Sequence, residues 1–148
     1  MLYKSFLKKI RKCPFCDEKN LFRRYLGERK TAFLTYSLAP YARDHLLVLP
    51  KRHILRMAQL RKSENADIDK LLQRGAGALR KLGNKSVSIL VRDGDHNPQK
   101  SVAHLHYHII PSHRIGDLDI LGKKRKLMTG KEIERTIEEI KKALRKSR

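Results

Sequence analysis

Residues 101–111 read SVAHLHYHIIP, with histidines at positions 104, 106 and 108. On an extended strand alternate side chains point to one face. His104, His106 and His108 then share a side, and Leu105, Tyr107 and Ile109 take the other. Same-face neighbours stand about 7 Å apart at a rise near 3.4 Å per residue. A core histidine satisfied by backbone groups explains one such residue well and three poorly, because each imidazole brings two nitrogens to satisfy. Two chemical readings stay open here: three imidazoles on one catalytic metal ion, or one nucleophilic histidine with the others orienting it and handling protons. Just before the motif, Lys100 and Ser101 offer a cation and a hydroxyl beside backbone amides, which suits an anionic, phosphate-like substrate.

Working outward, HLLVLPK (45–51) reads as a strand ended by Pro50. LFRRYLGERKTAFLTYSL (21–38) reads as two strands around a turn near Gly27. SVSILVR (86–92) is a strand by its β-branched content. RHILRMAQL (52–60) is a connection or short helix. A long helix is expected over about 64–82, capped by Ser63 or Asn65 and stopped by Gly83 and Asn84. Its apolar stripe is Ile68, Leu71, Leu72, Gly75, Leu79 and Leu82. Thr129 with Glu132 resembles a capping box that opens a last helix, with Ile133, Ile137, Ile140 and Leu144 on one face. Leu2, Phe6 and Ile10 mark a short basic helix over residues 1–12, ahead of a single domain over 13–148. The order of elements predicts an α+β fold: a mostly antiparallel five-stranded sheet, a long central helix and a C-terminal helix.

The chain has 148 residues, enough for one domain with a real core. Apolar runs are only a few residues long, so no membrane span is expected. The basic start MLYKSFLKKIRK lacks the apolar stretch of a secretory signal, which makes a cytoplasmic protein the expectation. The formal net charge is +20, and such a field attracts polyanions, nucleotides and nucleic acid included. The charge is spread along the chain, so a solvated basic surface accounts for it as well.

Cys13 and Cys16 form CPFC, with Pro14 shaping a tight knuckle. Two cysteines make no disulfide framework. A redox pair would want a helix N-terminus after a strand. This pair instead follows a basic helix and precedes DEKN, so a four-ligand zinc site is the better reading, two ligands coming from elsewhere.

Two blocks carry a resemblance. SVAHLHYHIIP resembles the signature of the histidine-triad (HIT) superfamily, H-φ-H-φ-H-φ-φ with φ hydrophobic. DHLLVLPKRH (44–53) resembles the family's upstream strand, G-H-x-L-V-x-P-K-x-H. With the cysteine pair and the final helix, the likeness covers roughly residues 13–145, and both blocks at compatible spacing are far more specific than HxHxH alone. The resemblance implies a nucleotide hydrolase or nucleotidyl transferase acting at the α-phosphate. It puts His106 in the place of the nucleophile that becomes nucleotidylated. His108 matches the histidine that contacts the phosphate and leaving group, and His45 the upstream histidine of the same network. Ser101 matches a hydroxyl at the phosphate. The likeness to bacterial hydrolases and galactose-1-phosphate uridylyltransferase implies a structural zinc on Cys13, Cys16, His53 and His104. It also implies a homodimer.

The chain departs from the family pattern in places that bear on substrate. Lys100 stands where an amide residue usually precedes the Ser/Thr, and Ser37 where many members carry an acidic or amide group for the ribose hydroxyls. Asp44 replaces the usual glycine, and the loop DGDHNPQ has a slight aprataxin-like character in its proline. Two alternatives follow: a nucleic-acid-end binding or deadenylylating protein using the same pocket, for which the charge and GKKRKLM (122–128) speak, and a hydrolase with catalytic zinc on the triad. His96 and His113 are expected at the surface.

Overall fold

Five short strands pair into one antiparallel sheet: β1 (Tyr25–Glu28), β2 (Ala32–Tyr36), β3 (Leu46–Pro50), β4 (Val87–Val91) and β5 (Tyr107–Pro111), in the spatial order β1-β2-β3-β5-β4. Among the described residues three α-helices accompany them: α1 (Tyr3–Lys9), α2 (Lys62–Lys81) and α3 (Gly130–Lys146). The computed structural model describes residues 1–10, 12–17, 25–94, 102–111 and 126–146. The architecture is the expected α+β sheet with a long helix and a C-terminal helix.

Both faces of the sheet are covered, which is why β2, β3 and β5 are buried along their whole length. On one face Leu34, Tyr36, Leu46, Val48, Tyr107 and Ile109 pack under α2 and α3, against Ile68, Leu71, Leu79, Ile137, Ile140 and Leu144. Each such leucine or isoleucine contributes about 1.5–3 kcal/mol by leaving water. Gly75 sets how closely α2 approaches, since a Cβ there would stand 2.6 Å from Ile109 Cδ1. On the other face Phe33, Leu47 and Leu49 meet Tyr3, Phe15, Ala39 and Val102 in a smaller cluster. His108 pairs with Leu47 in the ladder, so the histidines belong to this thinner side.

The helix ends follow local chemistry. At the start of α2 the Arg61 N–H donates to Glu64 Oε1 at 2.9 Å, so neither Ser63 nor Asn65 is the cap. Glu64 is buried and also accepts from Arg52 Nη2 at 2.8 Å, which holds its carboxyl below the usual range. At the other end Gly83 N–H donates to Arg80 O and Asn84 N–H to Leu79 O, with Gly83 at φ +96°. That is the glycine-terminated pattern expected of Gly83 and Asn84. At α3, Thr129 N–H donates to Glu132 Oε2 at 2.7 Å and Glu132 N–H returns to Thr129 Oγ1 at 3.3 Å, the reciprocal cap predicted from sequence.

Four further local readings are corrected. Gly27 lies within β1, not at the turn; Arg29 N–H donates to Ala32 O and closes a two-residue loop, while Asp67 of α2 accepts from Arg29 Nε, Thr31 N and Thr31 Oγ1. In α1, Tyr3, Phe6 and Leu7 face the sheet, and Leu2 is exposed while its backbone bridges to Lys126. Leu82 falls at the helix end and is exposed. The histidine strand is shorter than expected: only Tyr107–Pro111 joins the ladder. Ahead of it His104 N–H turns back to Val102 O and Leu105 N–H goes to Ile54 O, so the backbone leaves strand pairing where His104 and His106 stand.

No helix among the described residues is long and apolar enough to cross a membrane.

Candidate functional site

The last residue before β3 is His45, fully buried. Tyr41 N–H donates to His45 Nδ1 at 3.1 Å, so in the neutral ring the proton sits on Nε2. Nε2–H then donates to His108 Nδ1 at 2.8 Å. With its Nδ1 accepting, His108 in turn carries its proton on Nε2. One backbone amide thus fixes two tautomers in series. The Tyr41 ring lies parallel to His45 at 5.5 Å and holds it in plane.

His106 is oriented differently. Its Nδ1–H donates to the His104 carbonyl at 2.7 Å, which leaves the Nε2 lone pair on the far side of the ring. The His106 and His108 rings lie 4.8 Å apart, so a lone-pair nitrogen and an N–H donor belong to one small site. A reacting group held against both rings would meet a nucleophile and a hydrogen-bond donor together.

Two residues shape the approach to His45. Ser37 N–H donates to His45 O at 3.0 Å. Asp44 has φ +66°, the left-handed region that glycine adopts without strain, which explains why this position in the motif favours glycine. Asp44 is 9% exposed, and burial raises its carboxyl above the usual range, against the opposing pull of Arg43.

His104 is turned away from this pair. Its Nε2–H donates to Pro50 O at 3.0 Å, so Nδ1 presents its lone pair to the cysteine knuckle. The knuckle is closed by Cys16 N–H and Asp17 N–H, both donating to Cys13 O at 3.1 Å. His104 Nδ1 lies 3.7 Å from Cys13 Sγ and 3.5 Å from Cys16 Sγ, and His53 Nδ1 lies 3.3 Å from Cys16 Sγ. All four ligand atoms fall within 4.8 Å of one another. Donors around a tetrahedral ion with bonds of 2.0–2.3 Å stand roughly 3.3–3.8 Å apart, so the set fits one four-coordinate ion. Among the described residues this is the group of that kind, and the three triad rings do not converge on a point. Desolvation and then the neighbouring Cys13 push the Cys16 thiol up to about 11.

Phe15, inside CPFC, packs edge-on against His104 at 5.8 Å and against His106 at 5.1 Å. It joins the knuckle to the reacting side. Sequence reasoning missed it, as it missed Tyr41 and the Pro50 carbonyl; the place of Phe15 between the two cysteines was the available signal. Ser37 is buried and lines a crevice of about 20 Å³ under Tyr3, Phe6 and Phe15, so α1 covers it. Lys100 and Ser101, with His96 and His113, lie outside the described residues.

Comparisons with known proteins bear on the family and the fold. A HIT domain profile matches residues 18–115. The adenosine 5′-monophosphoramidase hnt1 of Schizosaccharomyces pombe is 31% identical over 86 residues, which are 58% of this chain and 62% of that enzyme. The chain spans between 19% and 62% of the length of two curated relatives that it matches. A hypothetical histidine triad nucleotide-binding protein of Sulfolobus tokodaii has the same fold, with a TM-score of 0.73, 21% identity and coverage of 90% of this chain and 93% of that one. A zinc-bound histidine triad family protein of Mycobacterium smegmatis superposes with a TM-score of 0.64 at 22% identity, over 98% of this chain and 93% of that one.

Proposed function

This chain belongs to the HIT domain family, and from that premise we propose that it is a nucleotide phosphohydrolase that works through a nucleotidyl-histidine on His106. One observation carries the reading: the His106 and His108 rings lie 4.8 Å apart, and in each ring the protonation of Nε2 is set by a hydrogen bond on Nδ1.

In the first step His106 Nε2 attacks the α-phosphorus, and the bond to the leaving group breaks in line. The Nδ1–H bond to the His104 carbonyl stabilises the positive charge that builds on the ring. The His108 Nε2–H, held in that tautomer by His45, hydrogen-bonds the departing oxygen or nitrogen, which takes its proton from solvent. In the second step water attacks phosphorus and passes its proton to solvent as the bond to His106 Nε2 breaks, and a nucleoside monophosphate leaves. Lys100 and Ser101 are assigned to the phosphoryl oxygens from their sequence positions, and Ser37 to the sugar side.

Cys13, Cys16, His53 and His104 are assigned to a structural zinc, supported by the convergence of the four donors. A Cys2His2 set leaves no open position, so the ion would hold the N-terminal knuckle against the strand and supply no Lewis acid to the substrate. A homodimer is proposed through β4, an outer strand without charges whose Ile89 is 46% exposed.

Incubation with adenosine 5′-monophosphoramidate and with adenosine dinucleotides tests the activity. Release of AMP by the native protein, lost in His106→Ala, is expected. Full activity of His106→Ala would overturn the reading. The charge of +20 favours a second substrate class, adenylylated nucleic-acid ends. Processing that falls steeply with salt would support it, and salt-insensitive turnover of mononucleotides alone would exclude it.

A further inference from the structure

The positive charge of the chain is not evenly balanced on its surface. Within residues 1–12, Lys4, Lys8, Lys9, Arg11 and Lys12 stand with no aspartate or glutamate among them. Elsewhere cations are matched by carboxylates: Arg29 by Asp67, Arg43 by Glu139, Lys51 by Glu28 and Arg52 by Glu64. Lys4, Lys8, Lys9 and Lys12 are all exposed, and among the described residues no carboxylate pairs with them. Lys4 and Lys8 lie one turn apart on α1, and Lys9 follows, on the side away from Tyr3, Phe6 and Leu7. Helix stability does not account for the pattern. Lys8 and Lys9 suit the last turn, but Lys4 stands in the first, where a cation opposes the helix dipole.

A distant part of the chain adds to this face. The Leu2 backbone bridges to Lys126, and Leu127 N–H donates to Met1 O at 3.1 Å. The exposed Lys126 therefore lies beside the start of α1. The whole surface is on the triad's side of the sheet. Tyr3 and Phe6 share a crevice with Phe15, and the Phe15 ring packs against His106 at 5.1 Å.

We propose that the outer face of α1, with Lys126, binds the phosphodiester backbone of a nucleic acid and directs its end towards His106; the direction of an end rests on the second substrate class proposed above. Lysines on phosphates release counterions, so the binding is blind to base sequence and steep in salt. An anionic bilayer fits less well. Tyr3, Phe6 and Leu7 are packed on the sheet, so α1 has no apolar face to insert.

Fluorescence anisotropy with a 3′-labelled single strand of about 20 nucleotides, over about 50–200 mM NaCl, tests this. It compares native protein with two triple variants of equal charge. Lys4→Glu, Lys8→Glu and Lys9→Glu together should weaken binding ~30-fold or more, and should flatten the slope of log K against log salt by about 2, for three contacts at about 0.7 each. Lys62→Glu, Lys70→Glu and Lys142→Glu together, exposed on α2 and α3 across the sheet, should weaken it less than ~3-fold. Equal weakening by the two triples would assign the binding to net charge and overturn the proposal. Native protein that binds vesicles of phosphatidylserine in phosphatidylcholine and no strand would overturn it too. If native protein releases AMP from the phosphoramidate but binds no strand, the surface is overturned and the nucleotide reading stands. If it binds the strand through α1 but releases no AMP from an adenylylated strand, the surface stands and the second substrate class is overturned. Should glutamates loosen α1, Lys4→Ala, Lys8→Ala and Lys9→Ala together decide, because alanine keeps the helix. The same loss of slope supports the proposal, and an unchanged slope overturns it.

Discussion

At the scale of single residues, the site works by fixing which nitrogen of each ring carries the proton. Tyr41 N–H, His45 and His108 form one chain of donors, and the His104 carbonyl sets His106 separately. His45→Ala removes the donor that keeps His108 Nδ1 accepting, so kcat should fall ~10–100-fold with little change in KM. His45→Gln, whose amide can donate, should recover part of the rate; equal losses in both variants would argue against tautomer control. Asp44 gives a prediction on stability. Its backbone sits at φ +66°, and burial holds its carboxyl above the usual range. A raised carboxyl contributes most when protonated and loses that contribution as pH rises through its folded value. Asp44→Gly should therefore be at least as stable as native at pH 7, with its advantage shrinking below about pH 4. Asp44→Val should cost ~2 kcal/mol or more through backbone strain. Urea unfolding at both pH values reads these effects.

At the scale of elements, Asp67 ties the β1–β2 loop to α2. Arg29, then Thr31, lowers its carboxyl to about 2. This depressed group contributes stability above its unfolded value of 3.8, and the contribution is lost as pH falls towards 2. Asp67→Asn should lower the urea midpoint at pH 7, and the difference from native should vanish in strong acid. At the sheet edge, Ile89→Lys should convert a dimer to monomer in sedimentation, whereas a native monomer would exclude β4 as the interface. Much of this element structure is legible in the chain. Strand alternation, the stripe of α2 and the Thr129–Glu132 cap are local patterns, and local patterns survive folding. The start of the histidine strand was not legible, because His104 and Leu105 bond to Pro50 and Ile54, some 50 residues away. Gly27 misled for a similar reason: the turn is set by Asp67, which lies on another element. The site divides along the same line. The spacing of the motifs identified the histidines and cysteines, while Phe15 and Tyr41 depend on packing between elements.

At the scale of the whole molecule, α2 and α3 build the main core on one face of the sheet, and the knuckle and α1 build a thin cover on the other. Phe15 connects that cover to His104 and His106, so the proposed zinc would set the rigidity of the reacting side without touching substrate. Metal analysis should find one zinc per chain. Cys13→Ser should lose it and lower the melting temperature by about 10 °C, a few kcal/mol on a domain of this size. Retention of one tightly bound zinc by both Cys13→Ser and Cys16→Ser would refute the assignment. The central claim is the covalent step, and it is read most directly by mixing the protein with adenosine 5′-monophosphoramidate, quenching in alkaline denaturant, where a phosphorus–nitrogen bond persists, and sequencing the peptides by mass spectrometry. An adenylyl group on His106 in native protein, and on no histidine in His106→Ala, is the predicted result; AMP release at the native rate by His106→Ala, with no adduct on the native chain, would contradict it.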